Sequence, residues 1–104
     1  MTSNVMYPGR LWLGTMKRMS DDEQAYLVDL GLRIRDTRQK QKLGLDGLAE
    51  LAEVHRTHLW KIEKGLLNTG LLTYVRIAEA LDVPLAMLLP ATRLLKPSLQ
   101  KKEE

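Results

Sequence analysis

Between residues 21 and 89 the apolar side chains recur at intervals of three and four, in short runs broken by Gly, Pro and Asn. That spacing puts them on one side of a helix and leaves no sheet face to fill. Leu27, Leu30 and Ile34 fall on one such face. So do Leu48, Leu51 and Ala52, then Leu59 and Ile62, then Leu71, Tyr74, Ile77, Ala78 and Leu81. No segment alternates with period two, and β-branched residues are sparse. The pattern predicts an all-α fold with helices over about 21–41, 45–52, 55–64, 71–81 and 84–89.

The punctuation agrees with those bounds. Ser20 followed by Asp21, Asp22 and Glu23 is a helix start: a hydroxyl cap, then acids in the positive first turn. Leu43-Gly44 is expected to break the first helix, Gly65 to end the third, and Asp82-Val83 to close the fourth. Pro84 suits the first position of a fifth helix that Pro90 limits.

At 104 residues, with 44% hydrophobic and 28% charged side chains, the chain has the composition of one modest globular domain. It contains no cysteine, which removes disulfides, thiolate metal sites and thiol catalysis together. His55 and His58 stand at i, i+3 with no third ligand in view, so no metal is expected. The helix carboxylates Asp46, Glu50, Glu53 and Glu63 have no nucleophile or cleft to serve, and no phosphate-cradling glycine loop occurs. Neither a catalytic role nor a cofactor is expected. No run of 18 apolar residues occurs and no signal-peptide pattern opens the chain, so the cytoplasm is the expected location and no membrane partner is expected.

The net charge of +3 hides an uneven layout. Arg10, Lys17 and Arg18 stand without acids in residues 1–20; Asp21, Asp22, Glu23 and Asp29 stand without bases in 21–30. Arg33, Arg35, Arg38, Lys40 and Lys42 then dominate 31–45. Such a run is ordinarily a solvated face, and gains meaning only beside a recognition element. Residues 1–20 read as an arm or pre-sequence, in which Met16 and Met19 join Met1 as candidate starts. Residues 21–90 read as the folded domain. Residues 91–104, with Leu94, Leu95 and Leu99 among Lys and Pro, read as a tail that dimerises or frays.

Window 45–64 meets the demands of a DNA-reading helix pair: two short helices, a tight turn, and a small apolar contact between them. Leu48, Ala49, Ala52, Val54, Leu59 and Ile62 face inward in this reading. Arg56, Thr57, Trp60, Lys61 and Lys64 then face out. Trp60 has two readings: packing against Leu66 or Leu67, or resting on a sugar-phosphate edge or a partner. Leu85, Leu88, Leu89, Leu94 and Leu95 are core or dimer seam.

The segments LGLRIRDTR (30–38), LAELAEVHRTHLWKIEKG (48–65) and LLTYVRIAEALDVPLAMLL (71–89) follow in order with short gaps. Together they resemble the Cro/repressor-type (XRE) helix-turn-helix regulators over about residues 27–89. The resemblance implies a compact five-helix, lambda-repressor-like DNA-binding domain. By that pattern Arg56, Thr57 and Lys61 read base edges, with arginine able to pair with guanine O6 and N7. His55 takes the recognition-helix N-cap. His58, Lys64, Asn68 and Thr69 take backbone positions, and Arg38 and Glu63 match an ion pair that also offers donors to a phosphate. Some positions depart from the pattern. Leu45 replaces a phosphate-binding Gln, Glu53 replaces the turn Gly, Thr37 replaces a core aliphatic, and Gly44 and His55 are weak caps. Gly47 inside a helix costs about 1 kcal/mol relative to alanine.

The expected function is sequence-specific transcriptional regulation, as a homodimeric repressor on a palindromic double-stranded DNA operator. The rival from another class is an antitoxin-type or other partner-binding regulator whose termini hold a second protein. A helical module that has lost DNA binding is disfavoured by Arg56, Lys61 and Lys64.

Overall fold

Ser20 opens the first helix by a reciprocal cap. Its hydroxyl accepts the Glu23 amide at 3.1 Å, and the Glu23 carboxylate accepts the Ser20 amide at 2.9 Å. From there α1 (Asp21–Lys40) runs 20 residues and turns Leu27, Leu30, Gly31, Ile34 and Arg38 inward. The computed structural model describes residues 19–91, and the expectations for the basic arm and the leucine-bearing tail lie outside that range. Four shorter helices follow: α2 (Leu45–Ala52), α3 (Arg56–Glu63), α4 (Leu71–Ala80) and α5 (Leu85–Leu88). The described residues contain no strand, so the fold is all-α.

The first four helices end alike. After each, one residue takes a left-handed conformation: Lys42 (φ 61), Glu53 (φ 58), Gly65 (φ 71) and Asp82 (φ 58). The amide one residue further on then bonds a carbonyl five positions back, as in Leu43 to Arg38 at 3.1 Å and Val54 to Ala49 at 3.0 Å. Leu66 to Lys61 at 2.9 Å and Val83 to Ala78 at 3.0 Å complete the set. The reversal after α1 therefore falls at Lys42, not at Leu43-Gly44. Gly44 is instead the extended N-cap of α2. Pro84 likewise is the N-cap of α5 rather than its first residue.

Side chains from distant elements satisfy carbonyls around these turns, as the backbone accounting requires. Gln41 donates to the Leu81 carbonyl at 2.6 Å, Arg76 to the Ala52 carbonyl at 3.3 Å, and Gln24 to the Gly65 carbonyl. Tyr26 donates to the Pro90 carbonyl at 2.9 Å, tying α1 to the end of α5.

One core joins all five helices. Ile34, Leu48, Leu59, Ile77 and Leu81 are fully buried in it, with Leu30, Ile62, Tyr74 and Leu88 close behind. α2 packs on α4 and α3, α1 crosses α3, and α5 closes against α4 and α1. Two apolar residues read as inward face out: Leu51 is 59% exposed and Leu71 is 67% exposed. In α2 the small Ala49 takes the inward place, which lets α4 and α3 approach closely. Leu88 belongs to the core, while Leu89 stays half-exposed.

At the α1–α3 crossing the two backbones come close. A Cβ built on Gly31 would lie 2.3 Å from the Glu63 carbonyl oxygen and 2.6 Å from that of Ile62. One built on Gly65 would lie 2.6 Å from the Val28 Cα. Two glycines thus set how near α1 lies to the C-terminal end of α3.

Candidate nucleic-acid interface

Glu53, Val54 and His55 are all that separates α2 from α3. Glu53 makes the left-handed turn, half-buried Val54 packs against the core, and His55 caps α3 in extended conformation. No side chain completes the caps at Gly44 or His55, so the first amides of α2 and α3 remain open to a ligand.

The eight residues of α3 divide cleanly. Leu59, Ile62 and Glu63 are buried. Arg56, Thr57, Trp60 and Lys61 are exposed, as are His55 before them and Lys64 after. Among these, Arg56 pairs through Nε with the Asp46 carboxylate on α2. The Lys64 ammonium sits 5.9 Å from the centre of the Trp60 ring. Trp60 also lines a concavity of about 180 Å³ with Arg35, Leu45 and Lys64, floored by Arg38 and Glu63.

Arg38 and Glu63 form a bidentate pair that fixes this face from behind. Arg38 Nε donates to Glu63 Oε2 at 2.7 Å and Nη2 to Oε1 at 2.9 Å. Nη1 donates to the Leu43 carbonyl at 3.0 Å, so the same guanidinium also holds the α1–α2 turn. The hydrogen bond to Glu63 raises the Arg38 guanidinium above its ordinary value, against the opposing effect of burial. Three of the five guanidinium donors are thus engaged inside, and the residue is 9% exposed.

His58, Asn68 and Thr69 converge on one polar cluster. His58 Nε2 lies 3.0 Å from Thr69 Oγ1. The Tyr74 hydroxyl accepts the Thr69 amide at 3.3 Å and reaches Asn68 Oδ1 at 3.5 Å. Burial raises the Tyr74 hydroxyl above its ordinary value, so it stays a neutral donor and acceptor. These residues pin the α3–α4 loop to both helices. Of the six residues expected at backbone or cap positions, His55, Lys64 and Asn68 are exposed, His58 and Thr69 are half-buried and Arg38 is buried. Sequence reasoning passed over Asp46, Arg35 and Gly31 as parts of the site. Asp46 and Arg56 lie ten positions apart on different helices, beyond any helical periodicity.

Among the described residues no group of three or more His, Cys, Asp or Glu could hold a metal, and no helix is long and apolar enough to cross a membrane. A family model for the helix-turn-helix domain matches residues 29–90. The chain belongs to the helix-turn-helix family. It is 38% identical over 55 residues to a protein of Methanococcus maripaludis (strain C5) designated an HTH-type transcriptional regulatory protein. That match covers 53% of this chain and only 17% of the archaeal protein, so the chain corresponds to a small part of that relative.

Solved structures share this fold. The restriction-modification controller protein of Aeromonas hydrophila is 33% identical with a TM-score of 0.61, over 62% of this chain and 97% of that one. The DNA-binding domain of BldD is 27% identical with a TM-score of 0.60, over 69% of this chain and 100% of that one. In this helix-turn-helix, α2, α3 and the three-residue turn between them are the motif. The family is one of DNA-binding regulators and not of enzymes.

Proposed function

We propose that this chain is a sequence-specific DNA-binding regulator of transcription that acts as a repressor, bound as a homodimer to a palindromic operator. The observation that carries the reading is the outer face of α3. Arg56, Thr57 and Lys61 project there from the first two turns, free of the core. A helix presented this way fits the major groove of B-DNA with its first residues on base edges. Arg56 meets guanine O6 and N7, Thr57 a thymine methyl or an acceptor, and Lys61 a base one turn along.

The backbone contacts follow from the flanks. Lys64 and Arg35 border the concavity beside Trp60, at the uncapped start of α2, and a phosphate seated there meets two cations and open amides. The His58–Thr69–Asn68 cluster holds the α3–α4 loop in the shape that approaches the same half-site, and the arm adds Arg10, Lys17 and Arg18.

One domain of this size reads about half an operator, so two copies give a palindrome its second half-site. Leu66, Leu71, Leu72 and Met87 are each more than half exposed, which leaves a second copy apolar surface to cover. Occupying a promoter would then block transcription by exclusion. The cytoplasm is the location this reading implies.

The test is selection of bound duplexes from a random pool, followed by sizing of the complex. A palindrome with half-sites about 34 Å apart and two protein copies is expected. Failure to bind any duplex in a salt-sensitive way would end the reading.

A further inference from the structure

We propose that Asp46 is a positioning residue for DNA reading: by pairing with the Arg56 guanidinium across the turn of the motif, it narrows the positions from which Arg56 meets a guanine edge. The inference rests on the base-reading role proposed for Arg56 and adds a residue to it that neither periodicity nor the family resemblance marks.

Geometry comes first. Asp46 is the second residue of α2 and Arg56 the first of α3, so the pair spans the turn of the motif on its DNA-facing side. The carboxylate lies against Nε as an ion pair, and among the described residues the guanidinium meets no other acid. A guanidinium carries five N–H donors in a planar fork. Guanine O6 and N7 need two of them side by side. The contact is made at Nε, which leaves Nη1 and Nη2 as the two side-by-side donors for a base. An unheld arginine offers several presentations and must be ordered on binding. One drawn toward Asp46 offers fewer, so part of that ordering is already done.

The bland role for Asp46 is an acid in the first turn of α2, opposite the positive helix end. Exposure separates the two roles. The Asp46 and Arg56 side chains are 78% and 64% exposed, a setting in which ion pairs contribute little to stability. On a surface proposed to meet phosphates, a carboxylate is a cost to every DNA sequence. It also offsets the charge of Arg56 wherever no guanine takes the guanidinium. Asp46 therefore weakens binding to wrong sequences more than to the right one, which is specificity by a repulsive element.

Five proteins decide the matter: the natural chain, Asp46→Asn, Arg56→Ala, the double variant, and Asp46→Glu as the conservative control. Each is titrated at one salt concentration against the selected operator, the operator changed at the guanine assigned to Arg56, and a random duplex. Thermal melting is recorded alongside. For Asp46→Asn the operator-to-changed-operator ratio should fall about fivefold or more, as expected when a bidentate base contact loses definition. Binding to the random duplex should tighten, and melting should barely move. Asp46→Glu should recover part of the ratio. The double variant should discriminate no worse than Arg56→Ala alone.

If Arg56→Ala abolishes discrimination while Asp46→Asn keeps it within twofold, Asp46 does not position Arg56 and the proposal is overturned, with the base-reading role intact. A lowered melting temperature with discrimination retained also overturns it, and returns Asp46 to the helix-start role. If Arg56→Ala leaves discrimination untouched, the base-reading role itself fails, and this inference fails with it.

Discussion

At Gly31 one methyl group decides whether α1 can lie against α3. The atoms it would strike are the Glu63 and Ile62 carbonyls at 2.3 and 2.6 Å, and backbone cannot swing aside. Alanine is the better helix former by about 1 kcal/mol, yet overpacking at a rigid contact outweighs that. Gly31→Ala should lose about 3 kcal/mol or more by denaturant unfolding. Gly47→Ala should do the opposite. Its Cβ would meet only Leu43 Cδ2 at 3.6 Å, so removing a helical glycine should raise stability by about 0.5–1 kcal/mol. Both glycines stand in helical sequence, and only Gly47 was legible as a local weakness. The need for Gly31 arises where two distant segments touch, and no neighbour in the chain records it. Glu63 is the converse case. Its pairing with Arg38 came from the family resemblance, not from spacing. Glu63→Gln should lose about 3–5 kcal/mol, because it strands a buried guanidinium without its counter-charge. Arg38→Met with Glu63→Leu should lose less, since both charges then leave together.

At the scale of the element, the four matching helix ends separate two reasons for a glycine. Three of the left-handed residues are Lys42, Glu53 and Asp82, and they stand where a side chain costs only conformational strain. Gly65 has the same φ but also faces Val28, so space and not φ excludes a Cβ there. Glu53→Gly should therefore raise stability by about 1 kcal/mol. Gly65→Asn should lower it, although asparagine tolerates the conformation, and the denaturation midpoints of the two variants should move in opposite directions. The elements themselves were legible: all five helices stand where periodicity and caps put them, with ends moved by a residue or two. Leu51 and Leu71 were misread because two turns or the first turn of a helix define a face poorly. What decides their side is packing: Ala49 fills the inward place in α2, and α4 buries Tyr74, Ile77 and Ala78 without its first residue. Along α3, periodicity separated Leu59 and Ile62 from the exposed residues, but showed neither that Glu63 is buried nor which exposed residues are tied to neighbours. Lys64→Ala should lower affinity evenly across sequences and reduce the salt slope by about one, whereas Arg56→Ala should relax one base position.

For the whole molecule the question is whether two α3 helices are held at a fixed separation. The folded domain supplies one recognition helix, braced by the Arg38–Glu63 pair and the two close glycine contacts, so it cannot adapt by bending α3 against α1. If two such bodies form one dimer, the spacing of half-sites becomes as rigid as the domain. Inserting five base pairs between them moves the second half-site about 17 Å and turns it about half a helical turn, onto the far face of the duplex. Affinity should then fall to that of a single half-site. Inserting about ten restores the face but not the separation, so recovery should be partial and limited by whatever joins the two copies. Independent monomers would bind all three duplexes with the same affinity per half-site. Measured at equal salt, with the complex sized at each spacing, the three duplexes separate a rigid pair, a loosely tethered pair and two independent domains. The +3 net charge alone would favour every duplex equally, so any dependence on spacing must come from the assembled geometry.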